Sequence, residues 1–172
     1  MITTEQLKAL REETGISVMQ CKKALEEAGG DMEKARVILK KKSGDVAAKK
    51  LDRTLGAGTI VTTQNDNRAV ILALLCETDF VAKNSDFVDA AKSLATKALN
   101  EGKEAVESAS AEVINSLVQK VGENIKVGNI IIVDSDKAGV YNHNGMFASV
   151  VVLKDKNPEL AKDIAMHATA MR

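Results

Sequence analysis

The sequence is poor in rings and in the residues that punctuate a chain: no tryptophan, one tyrosine, three phenylalanines and one proline in 172 residues. Its apolar residues are mostly Ala, Val, Ile and Leu, so any core is aliphatic. It carries no excess charge of either sign, with 24 basic residues against 24 acidic ones. That argues against a partner held by counterion release, such as bulk nucleic acid or an anionic membrane. The two cysteines, Cys21 and Cys76, stand far apart, and no Cys-x-x-Cys or Cys/His spacing suggests a metal site. Each reads as a small apolar residue in a reducing compartment. No stretch reaches the length of a membrane span, and Met1 to Leu10, which includes Glu5, lacks the apolar run of a secretory signal. The expectation is a soluble, cytoplasmic protein.

Catalytic signals are equally sparse. Gly56-Ala57-Gly58 lacks the Lys and Ser/Thr that a phosphate loop needs, so no cofactor is expected. The two histidines, His143 and His167, fall in different elements, and no spacing pairs either with Cys76 or a serine as nucleophile and base. No catalytic residue is assigned. What remains is 45% hydrophobic and 28% charged residues, the make-up of an ordinary folded protein and a better match to a binding role than to an enzyme.

The spacing predicts an α+β chain. Residues 1–42 read as a three-helix module, 43–55 as a linker, 56–154 as an α+β core, and 155–172 as a helix that begins a second, truncated subdomain. In the first module Thr3 with Gln6, and Ser17 with Gln20, have capping-box spacing. Leu7 and Leu10, then Val18, Cys21, Ala24, Leu25 and Ala28, then Met32, Ala35, Ile38 and Leu39 mark the inward faces. Val18 and Met19 begin the second helix, and spacing leaves open whether both pack inward or one faces a partner. Lys40-Lys41-Lys42 and Lys49-Lys50 have no aromatic interleaving, which favours a solvated helix or linker over a nucleic-acid patch. Asp45 to about Thr54 reads as a short connecting helix.

In the core, Thr59–Thr63 and Arg68–Cys76 read as a hairpin. A helix from Ser85 to about Asn100 follows, with Phe87, Ala91, Leu94 and Ala98 inward. Gly102 breaks it, and Ser110 caps the next helix, with Val113, Ile114, Leu117 and Val121 on one face. Extended segments follow at Ile125–Val133, from Val140, and, separated from it by Gly145, at Met146–Leu153, with a mainly antiparallel sheet covered by helices on one face. Asn157-Pro158 starts the last helix, whose inward face is expected to be Leu160, Ile164, His167 or Ala168, and Met171.

Thr78 to Asn84, Thr-Asp-Phe-Val-Ala-Lys-Asn, lies between the apolar run ending at Cys76 and the helix from Ser85. It is a strand-to-helix corner, where a rigid scaffold holds an exposed loop. Phe80 has two possible destinations there. It either tucks under the following helix, as most phenylalanines do, or stands out beside Asp79 as an intruding contact.

Leu10-Arg11-Glu12-Glu13-Thr14-Gly15, Met19-Gln20-Cys21-Lys22-Lys23-Ala24-Leu25 with Gly30-Asp31, Cys76 through Asn84, and Gly122-Glu123-Asn124-Ile125 with Ile164-Ala165-Met166-His167 occur in that order. Together they resemble bacterial translation elongation factor Ts over essentially the whole chain. The resemblance implies a guanine-nucleotide exchange factor for elongation factor Tu, with a ubiquitin-associated-like N-terminal module that docks on the GTPase domain of Tu. It implies that Asp79 and Phe80, flanked by Thr78 and Val81, enter that domain and disturb the Mg²⁺ and phosphate contacts of GDP. Val18 and Met19 match the N-terminal contact, Val18 standing where relatives commonly carry Met. Val121 and Gly122 match a third contact, near the intruding phenylalanine, and His167 falls in the last motif and joins the expected partner-binding residues. The exchange role that the resemblance implies needs no covalent chemistry. Typical members continue past the Met-His helix into a second subdomain that contacts the third domain of Tu. The chain is thus expected to be a fragment or a shortened natural form, which leaves any dimer open.

Overall fold

The computed structural model describes residues 2–171; Met1 and Arg172, which enter the expectations about the two ends, lie outside the described residues. The contacts divide the chain into two units. One runs to Arg53 and includes Ile114–Asn124; the other comprises Thr54–Val113 and the chain from Ile125 on.

In the first unit the caps select the helices. Helix α1, Thr4–Thr14, opens on a complete capping box: Gln6 N donates to Thr3 Oγ1 at 3.2 Å and Thr3 N to Gln6 Oε1 at 3.0 Å. Gly15, with φ of 67°, ends it. Helix α2, Val18–Glu27, makes only half of its expected box, because Ser17 Oγ accepts from Gln20 N while the Gln20 side chain is engaged elsewhere. Helix α3, Met32–Ala48, starts at Asp31, whose side chain accepts from Lys34 N at 3.0 Å. Leu10, Ile16, Cys21, Ala24, Leu25, Ala35 and Leu39 are buried together as one aliphatic core, with Leu7, Ala28, Met32 and Ile38 packed around it.

Helix α3 runs on through 43–48, where the sequence reads as linker and the start of a separate short helix. Its buried face continues at four-residue steps through Ala35, Leu39, Ser43 and Ala47. Ser43 Oγ donates to Lys40 O, so the polar side chain is satisfied within the helix. The cost of about 1 kcal/mol for Gly44 inside a helix is outweighed by that face.

The second unit is built on an antiparallel sheet of three strands in the order β1-β2-β3: Ala57–Gln64, Arg68–Cys76 and Lys126–Asp134. Strand β2 is central, and Val70, Leu72, Leu74 and Cys76 are fully buried on one of its faces. Helix α5, Ser85–Glu101, packs on β1 and β2 and buries Phe87, Ala91, Leu94, Ala95, Ala98 and Leu99. A one-turn helix α4, Asp79–Ala82, precedes it. Helix α6, Lys103–Val121, starts directly after Gly102, and Ser110 is interior to it rather than its cap; its hydroxyl donates to Glu107 O.

Strands β4, Ala138–His143, and β5, Phe147–Val152, form a hairpin. Asn144 and Gly145 both have positive φ, 55° and 71°, in the turn that joins them. An Asn-Gly pair is the residue choice such a turn favours. The hairpin covers the edge of β1: Ile60 N donates to Gly145 O at 2.6 Å, and Asn142 Nδ2 to Ile60 O at 2.7 Å.

Helix α7, Pro158–Ala170, packs on β4 and β5, but not by the expected face. Ala161, Ala165 and Thr169 are buried, while Leu160, Ile164, His167, Ala168 and Met171 are exposed. The reason is close approach. A Cβ on Gly139 would lie 2.7 Å from the backbone of Ala161, so only a glycine in the strand and an alanine in the helix let the two meet there. Ser149 Oγ, 2.6 Å from Ala165 O and 2.8 Å from Thr169 Oγ1, completes this small-residue seam.

Candidate functional site

The corner between β2 and α5 is fixed at both ends before any exposed residue is placed. Cys76 is fully buried, and its thiol donates to Thr78 O at 3.2 Å. Thr78 has extended backbone and caps α4, its Oγ1 accepting from Val81 N. Asn84 then caps α5, its Oδ1 accepting from Asp86 N at 2.9 Å and Phe87 N at 3.4 Å. Phe87 is buried, which seats the start of α5 on the sheet. Between these anchors α4 turns Val81 partly inward and Phe80 out.

The ring of Phe80 is 83% exposed, the most exposed large apolar side chain among the described residues. The alternative in which it tucks under α5 is therefore overturned, and the ring buried there is that of Phe87, in the first turn of α5. Beside it, Asp79 Oδ2 accepts from Lys83 Nζ at 2.8 Å, one helical turn on. The hydrogen bond and charge of Lys83 hold the Asp79 carboxyl below the ordinary carboxylate range. Asp79 thus stands as a carboxylate next to a bare ring. A groove of about 540 Å³, lined by Gly58, Ala73, Leu75, Ala82, Lys83 and Met146, opens on the Asp79 side of α4.

In the first unit, Val18 and Met19 are 48% and 64% exposed at the start of α2. Val18, expected on the inward face, instead lines a shallow depression with Thr4, Leu7, Lys8 and Arg11. Val121 and Gly122 end α6, and Gly122 O accepts from Lys50 Nζ. They share this unit with Val18 and Met19, whereas Thr78, Asp79, Phe80, Val81 and His167 belong to the second unit.

The groups with the most chemistry are not gathered. Cys21 and Cys76 are buried free thiols. His143 and His167 are exposed, His143 Nδ1 lying 3.2 Å from the Tyr141 hydroxyl. Among the described residues no three His, Cys, Asp or Glu side chains come together in a way that could hold a metal ion, and no helix is long and apolar enough to cross a membrane. The arrangement offers apolar side chains held outward from rigid helix starts, which serves recognition by burial in a partner.

The helical turn Asp79–Ala82 has only the spacing of Thr78 to Val81 as a signal in the sequence, and the bond from Gln119 to Gln20 has none. The break expected at Gly145 is the Asn144-Gly145 turn, which the dipeptide itself favours.

The model of the family described as Elongation factor TS matches residues 77–172, a segment that opens one residue before the capped corner. The chain is 45% identical to the elongation factor Ts of Marinobacter nauticus, over 99% of this chain and 61% of that protein. It is 42% identical to that of Hahella chejuensis, over 99% and 62%, and 39% identical to that of Alcanivorax borkumensis, over 96% and 62%. The chain spans about three fifths of the length of these curated relatives. A match that takes in the corner, β3, the β4–β5 hairpin and the last helix, with relatives that extend it through β1, β2 and the N-terminal helices, leaves one assignment: the chain belongs to the elongation factor Ts family.

Proposed function

We propose that the chain is a guanine-nucleotide exchange factor for elongation factor Tu, and that it promotes GDP release without covalent chemistry. The observation that carries this is the Phe80 ring, bare to solvent on a turn capped at both ends. Such a ring is placed to enter a partner without rearrangement of the scaffold behind it, and its burial contributes about 1.5–3 kcal/mol. In this reading the N-terminal module over 1–42 docks on the GTPase domain through Val18 and Met19. Asp79 and Phe80, with Thr78 and Val81 around them, enter between helices of that domain and displace the Mg²⁺ and phosphate contacts of GDP. Val121, Gly122 and His167 supply further contact.

Nothing beyond differential binding is required. The chain need only prefer the state of Tu in which the Mg²⁺ and phosphate contacts are broken. Binding of the chain and binding of GDP then oppose each other by one factor, and each 1.4 kcal/mol of coupling is about tenfold. The test is to measure the affinity of Tu for GDP with and without saturating chain, and of Tu for the chain with and without GDP. Equal reciprocal losses are expected. Binding of the chain that leaves GDP affinity unchanged would overturn the exchange reading.

That second outcome corresponds to an alternative favoured by two observations: the chain spans about three fifths of its relatives, and α7 leaves Leu160, Ile164 and Met171 exposed. In that alternative the chain is a Tu-binding module that docks without full exchange.

A further inference from the structure

Residues 119–124 are tied to α2, α3 and the segment after α3 by buried or backbone-directed contacts within the first unit. The carboxamide of Gln119 is one of them, in a residue only 5% exposed. Its Nε2 donates to Leu39 O of α3 at 3.2 Å and to Gln20 Oε1 of α2 at 3.2 Å. Asn124 Nδ2 donates to Leu51 O and Arg53 O at 3.2 and 2.9 Å.

Gln20 is the third residue of α2, next to Met19. In α1 the corresponding glutamine side chain turns back to close the capping box. In α2 it points to Gln119 instead, so the half-capped first turn that carries Val18 and Met19 is held from outside the helix. A helix start short of one capping contact frays more readily, and a contact surface that frays must be ordered again on binding.

We propose that Gln119 is a positioning residue for the Val18–Met19 contact: its buried amide holds the first turn of α2 and keeps both side chains outward. This rests on the reading that Val18 and Met19 meet a partner.

The experiment is amide hydrogen exchange on the full chain carrying Gln119→Met, Gln20→Ala, or both. Gln119→Met keeps the length of the side chain and removes the donor. The reporters are the amides of Gln20 and Cys21, which bond Ser17 Oγ and Ser17 O. Each single variant is expected to speed their exchange about fivefold, the loss of one hydrogen bond of ordinary net strength, and the double variant no further. Amides of α5 should not change. Unaltered exchange at Gln20 and Cys21, or additive effects in the double variant, would overturn the positioning role. Should Gln119→Met fail to fold, Gln20→Ala breaks the same bond from its half-buried end.

Affinity for elongation factor Tu gives a separate readout. Gln119→Met is expected to weaken binding when Val18 and Met19 are present and to do nothing further when both are alanine. An equal loss in both backgrounds would overturn the positioning role. A wild-type chain that does not bind Tu would overturn the functional reading, and exchange at Gln20 and Cys21 would still decide whether Gln119 holds α2.

Discussion

An exposed phenylalanine forgoes the stabilisation of burial, and Phe80 does so while Phe87, seven residues on, takes the core position. The difference between the two rings lies in the caps. Thr78 begins one helix and Asn84 the next, so Phe80 falls on the outer side of a single turn and Phe87 on the inner side of a long helix. Composition alone favours a buried ring at both positions; only the two caps separate them. The charged residues nearby carry a prediction in acid. Glu13, hydrogen-bonded to Arg36 through two contacts of 2.7 Å, Asp31, which accepts from Lys34 N, and Asp79, paired with Lys83, are each held below their ordinary carboxylate values. A carboxyl depressed in the folded state binds fewer protons there than in the unfolded state, so its contribution is present above the unfolded value and lost as pH falls through the folded one. The melting temperature is expected to hold steady from neutral pH to about 5 and to fall below about 4. Glu13→Gln should start lower and lose less across that acid range. A melting temperature that rises on acidification would contradict this. The same pair raises Arg36, whose guanidinium is charged across this range in any case.

Elements were legible where a cap and an apolar spacing agree. Thr3, Ser17 and Asp31 start the N-terminal helices, and β2 spans Arg68–Cys76 as the apolar run indicates. They were illegible where small residues do the packing. In α7 the large apolar residues give a clear stripe, Leu160, Ile164 and Met171, yet it is the Ala161, Ala165 and Thr169 stripe that is buried. Hydrophobic periodicity weighs side chains by size, whereas this seam depends on having almost none: Gly139 on β4 admits the backbone of α7. The same holds for α3, where Ser43 and Ala47 extend a buried face that the sequence assigns to a linker. The seam gives a specific expectation. Gly139→Ala sets a methyl 2.7 Å from the Ala161 backbone, which cannot move without shifting α7. It should cost about 1–3 kcal/mol, as overpacking in a close contact does. Urea unfolding of the two proteins measures it, and a midpoint within error of the wild type would show that α7 does not bear on Gly139.

For the whole molecule, the family was legible because its motifs follow in order along the chain, one at the capped corner 78–84 and others within α2 and α7. The proposed contact residues were less so, since exposure of Val18 and Phe80 depends on what fills the core beneath them. The proposed role of Phe80 is to drive nucleotide release while adding little to the fold. The measurement is release of a fluorescent GDP from elongation factor Tu with the chain in catalytic amounts, wild type against Phe80→Ala. The melting temperature of the variant is the control. With the ring 83% exposed, the substitution should change stability by no more than about 0.5 kcal/mol. Acceleration by the wild type is expected, and its loss in Phe80→Ala at unchanged stability. Equal acceleration by both proteins would contradict it.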